Sequence, residues 1–124
     1  MTPSARNYLR DRFRADADAL NARALALEGG ALPAGPDAAT SRRMAAACAD
    51  VVAMLETVPD SLDAIVSLLP PLEHRAAQEA SLLPVRAVYL GAATRIREIA
   101  IAEARAALSD GDEGNTQGDA ETDT

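Results

Sequence analysis

The chain has no Trp and no Lys, and among its 124 residues there are one Phe, two Tyr, one His and one Cys. Each shortage excludes something. With aromatic residues at 2 %, any core has to be built from Ala, Leu, Val, Ile and Met. Strands favour aromatic and β-branched side chains, whereas Ala is the best helix former because it loses no side-chain entropy and buries no polar group. The composition therefore predicts closely packed helices. A lone Cys48 cannot close an internal disulfide, so nothing points to an oxidising compartment. No apolar run approaches the ~18 residues that a membrane span needs, and the N-terminus lacks the apolar core of a signal peptide. The Arg-rich start has the flavour of a transit peptide, but Asp11, Asp16 and Asp18 argue against one. A cytoplasmic protein is the expectation.

The 48 % hydrophobic content is a globular value, and the length suits one modest domain. The net charge of -7 is unevenly spread. Residues Ser109–Thr124 hold six acids and no base, and removing these six from nineteen leaves thirteen acids against twelve bases in the body. The predicted organisation is a helical domain over residues 1–108 followed by a disordered acidic tail over 109–124, because a tail of Gly, Asp, Thr, Glu, Asn and Gln cannot bury enough to offset its ordering entropy. All twelve bases are Arg. Guanidinium groups recognise anions, but a GC-rich genome enriches Arg and Ala codons together and explains both without a ligand.

Apolar positions recur at helical spacing. The first helix is predicted to begin near Thr2-Pro3, to carry the seam Phe13, Ala17, Leu20, Ala24 and Leu27, and to stop at Gly29-Gly30. A second helix starts at Asp37, a good N-cap, with the seam Met44, Cys48, Val51, Leu55 and Val58. A short third helix over Pro59–Leu69 is ended by Pro70-Pro71, and Leu72–Leu83 is another helical piece. The last helix, Pro84–Leu108, places Val85, Val88, Ala92, Ile96 and Ile99 on one stripe and ends at Ser109-Asp110-Gly111. The expected fold is an all-α, up-down bundle of three to five helices, with the first and last helices as two long antiparallel arms.

Chemistry is sparse. His74 lacks a second imidazole, a Cys pair or a carboxylate one helical turn away, and neighbouring Glu73 faces elsewhere on a helix. Cys48 lies in an alanine run on the predicted seam and reads as a small core residue. No catalytic, cofactor or metal residues are assigned, and the chain is expected not to be an enzyme.

Two surfaces stand out. Leu90, Ile101 and Leu108 lie off the main stripe of the last helix and form a candidate surface for a protein partner or a second copy of the chain. Arg6, Arg10 and Arg14 recur every four residues and form a candidate anion-binding stripe, which Arg42 and Arg43 could extend. Asp residues interleaved on the same helix, and the lack of surplus positive charge in the body, set the nucleic-acid reading second. Ala87, Gly91 and Ala92 predict a close helix contact, inside the fold or at an oligomer interface, since Gly inside a helix costs about 0.5–1 kcal/mol relative to Ala. A non-enzymatic helical interaction protein (an adaptor, small chaperone or assembly subunit) is the leading functional expectation.

Overall fold

The computed structural model describes residues 4–31 and 34–116, with side chains described through residue 109. These residues form a small all-α bundle: α1 (Ala5–Glu28), α2 (Ala38–Glu56), α3 (Leu62–Val66), α4 (Leu69–Gln78) and α5 (Leu83–Thr116).

The helix boundaries follow from local chemistry. Ser4, Asp37 and Ser61 are the N-caps of α1, α2 and α3, and their side-chain oxygens accept from the backbone N–H groups of Asn7, Thr40 and Ala64 at 3.1, 2.8 and 3.2 Å. Each cap satisfies one donor that the first helical turn leaves without a partner. The α1 cap is thus Ser4; Thr2 and Pro3, where the sequence placed the start, lie outside the described residues. At the other end of α1, Gly30 takes φ +107°, a conformation that a Cβ would strain. This lets the N–H groups of Gly30 and Ala31 turn back to the carbonyls of Leu27 and Ala26 at 3.1 and 3.0 Å.

Pro70-Pro71 acts differently from the prediction. The pair does not break a helix that runs to Leu69; it sits in the first turn of α4. N–H groups there have no intrahelical acceptor, so two residues without one lose nothing, and their fixed φ suits a helix start. Accordingly α3 is shorter than the predicted Pro59–Leu69, and α4 ends at Gln78 rather than reaching Leu83. The backbone of α5 also continues past Ser109-Asp110-Gly111 to Thr116. A Gly inside a helix costs only ~1 kcal/mol relative to Ala, so Gly111 is a bias rather than a stop. The helical backbone thus covers the first half of the segment expected over 109–124 to be a disordered acidic tail, while the side chains of 110–116 and all of 117–124 lie outside the described residues.

Helices α1 and α2 are antiparallel neighbours, locked near both ends by Arg14–Glu56 at 3.0 Å and by Arg42–Glu28. The two long helices α1 and α5 do not pack along each other. Instead α2 lies between them, and α5 takes its neighbours from α2, α4 and, to a lesser extent, α3. Leu9 and Phe13 of α1, Val51 and Leu55 of α2, Leu72 of α4 and Ile96 of α5 meet in one buried cluster.

The polar exception in the core is Ser41, which is fully buried and whose Oγ has no hydrogen-bond partner among the described residues. A buried hydroxyl without a partner carries an uncompensated desolvation cost, and Ala is the better helix former. Replacing Ser41 with Ala is expected to raise stability by about 1 kcal/mol, read as a higher denaturation midpoint at unchanged slope. A fall in midpoint would show that the hydroxyl has a partner after all.

Candidate functional site

Helix α5 has 34 residues, which makes it about 51 Å long at 1.5 Å per residue. One face points into the bundle, where Val85, Tyr89, Ala92, Ala93 and Ile96 are buried. The opposite face carries Leu83, Leu90, Ile101 and Leu108, which are 64 %, 38 %, 52 % and 69 % exposed. Steps of seven, eleven and seven residues bring each of these back to within about 20° of the same direction around a helix. Ala87, Thr94, Arg97 and Ala104 complete a repeat of four and three between them, the spacing of a coiled-coil seam. From Ile101 to Ser109 every residue is exposed, so the bundle leaves this part of the helix uncovered on all sides.

The predicted partner surface of Leu90, Ile101 and Leu108 is therefore brought together on one face. Leu83 belongs to it and was missed, because the sequence assigned Leu83 to the end of a preceding helix. Its distance of one heptad from Leu90 was the available signal.

Beside this seam runs a trough of about 440 Å³ between α1 and α5, floored by α2. Ala19 and Leu20 form one wall, Ala87, Val88 and Gly91 the other, and Met44 and Cys48 the floor, with Asp16 and Arg95 supplying charge at the walls. The close contact expected at Gly91 inside the fold is absent: a Cβ built there meets nothing within 4 Å. The reason is the wedge of α2, which holds α1 away from α5 and leaves this side of Gly91 open. Of the three small residues, Ala92 alone is buried in the core.

Cys48 is only 2 % exposed, and burial, helped by the negative charge of Asp16, pushes its thiol up to about 11 from an ordinary 9.0. The thiolate is the reacting form. At pH 8 the shift alone is expected to slow alkylation by a neutral thiol reagent by about 100-fold relative to the unfolded chain. Labelling of the native protein at the unfolded rate would show that the thiol is open to solvent.

The Arg stripe is largely engaged within the chain. Arg6 donates through Nη1 to the Val58 carbonyl at 2.9 Å, so it tethers the start of α1 to the segment after α2. Arg10 pairs with Asp11 and Arg14 with Glu56, both at 3.0 Å. Arg42 pairs with Glu28, and Arg43 approaches Glu79 at 3.7 Å. Exposed pairs of this kind contribute only ~0.2–1 kcal/mol each, but they offset the positive charge that would draw an anion. His74 is exposed, while Glu73 pairs with Arg97 across α4 and α5. Among the described residues no group of three or more His, Cys, Asp or Glu side chains is placed to hold a metal ion, and no helix is long and apolar enough to cross a membrane.

Comparison of the chain with known protein families, with curated proteins and with solved structures finds no match.

Proposed function

We propose that this chain is a non-enzymatic helical interaction module of the cytoplasm (an adaptor, small chaperone or assembly subunit) that recognises protein through the outer face of α5. The observation that carries this reading is the exposed row Leu83, Leu90, Ile101 and Leu108 on a helix that its own bundle leaves bare beyond Ala100. A soluble surface scatters single apolar residues; a linear row at heptad spacing is what an amphipathic partner reads. Among the large hydrophobic residues that are exposed in the described part of the chain, only Tyr8 and Leu25 lie off α5.

The nucleic-acid alternative, using Arg6, Arg10 and Arg14, draws less support. Each of the three guanidiniums already has an acceptor within the chain.

The test is the combined variant Leu90→Glu, Ile101→Glu and Leu108→Glu. All three positions are exposed, so helicity by circular dichroism should be unchanged. Affinity for a stoichiometrically co-purifying protein is expected to fall by at least roughly tenfold per substitution, because a charge is forced into a desolvated contact. Undiminished binding by the triple variant would move the function to another surface. Retention on heparin or duplex DNA that weakens steeply with salt would favour the alternative.

A further inference from the structure

The outer seam of α5 matches itself when reversed. Turned end for end about the point between Arg95 and Ile96, Leu83 meets the partner's Leu108 and Ala87 meets the partner's Ala104. In the same register Leu90 meets the partner's Ile101, and Thr94 meets the partner's Arg97. Large residues face large ones, small face small, and the polar layers fall at the centre. A parallel, in-register pairing would instead set Arg97 against the partner's Arg97, a repulsion that the exposed ion pair of each with its own Glu73 offsets only in part. Polar layers in such seams fix register and orientation at some cost in stability.

One further feature of the fold agrees with the reversed pairing. The stretch Ile101–Ser109, which the bundle leaves exposed, would lie against Leu83–Leu90 on the body of the other copy, over an overlap of about 38 Å. A lone helical segment as short as the nine residues Ile101–Ser109 is marginal in water, and this arrangement covers it in both copies by symmetry.

We infer that a second copy of this chain occupies this face, forming a two-fold antiparallel pair through α5. The inference rests on the reading of α5 as a protein-binding surface and commits that surface to self-association. A two-fold contact uses the same patch on both copies, so every seam substitution enters it twice.

The experiment is sedimentation equilibrium on the full chain, together with disulfide trapping. The native chain is expected to dimerise. Leu90→Glu or Ile101→Glu should weaken the dimer by on the order of 100-fold, because each change acts at two places. For orientation, differently tagged Leu90→Cys and Ile101→Cys chains should join to each other in the mixture. Ile101→Cys joining mainly to itself would mean a parallel pair and would overturn the proposal. So would a native chain that stays monomeric at every accessible concentration. In that second case, if the glutamate variants still lose a heterologous protein that the native chain binds, self-pairing alone falls and the interaction reading stands. If they lose nothing, both fall.

Discussion

Replacing Leu55 with Ala is expected to lower the stability of the fold by about 2–5 kcal/mol, toward the upper end of that range. Leu55 is 1 % exposed and sits where α1, α2, α4 and α5 converge, against Leu9, Phe13, Leu72 and Ile96. The gap between these side chains is too small for a water molecule, so the truncation creates a void rather than enlarging a wet pocket. Collapse into that void is limited by the packing around it. Leu9, Phe13, Leu72 and Ile96 come from three other helices and are each buried on their remaining sides, so none can swing into the void without opening another. Small domains have only ~5–15 kcal/mol in total, so the variant should lose much of its margin. Leu25 is the internal control: it is 64 % exposed on α1, and Leu25→Ala should change stability by no more than about 0.5 kcal/mol. Urea denaturation followed by circular dichroism reads both. Similar midpoints for the two variants would mean that Leu55 is not at the centre of the core.

Much of the fold was legible because helical burial follows the period of the apolar residues. Phe13 and Ala17 in α1, Cys48, Val51 and Leu55 in α2, and Val85, Ala92 and Ile96 in α5 are buried as their spacing required. Leu9 continues the α1 seam one turn earlier, yet its position within an Arg-dense stretch hid it. What periodicity cannot supply is the partner of each face. An apolar stripe specifies that something covers it, not which helix does, and so the pairing of α1 with α2 rather than with α5 came only from the structure. Punctuation residues were legible as signals but ambiguous in sense. Gly29-Gly30 does end α1, whereas Pro70-Pro71 opens a helix and Gly111 lies within one. The candidate surface shows the same division. The off-stripe position of Leu90, Ile101 and Leu108 was visible in the sequence; the open trough at Gly91 depends on how far α2 holds two other helices apart, and no local pattern encodes that distance.

The fold is expected to lose stability steeply on the alkaline side, and two buried groups account for the loss. Tyr89 is 7 % exposed, and its hydroxyl donates to the Asp50 carboxylate at 2.9 Å. Burial first, and then the hydrogen bond to Asp50, push its phenol up to about 12 from an ordinary 10.0. Burial does the same to the Cys48 thiol, which rises to about 11. Both groups are thus held protonated in the folded state at a pH where the unfolded chain releases the proton. Where the native state binds more protons, the free energy of unfolding falls as pH rises. The contribution is complete below about pH 9; Cys48 loses its share between about 9 and 11, and Tyr89 between 10 and 12. Each shift of about two units corresponds to on the order of 2–3 kcal/mol. The absence of Lys makes the measurement unusually clean, because every other basic side chain in this range is an Arg that keeps its charge. Deprotonating Tyr89 would also set a phenolate beside Asp50, and Arg75, at 3.0 Å from that carboxylate, can offset only part of the repulsion. The double variant Cys48→Ala, Tyr89→Phe should be less stable than the native chain near neutral pH, yet almost flat between pH 9 and 11, so that the two denaturation midpoints converge as pH rises. Parallel decline of both proteins across that range would show that neither group is protected by the fold.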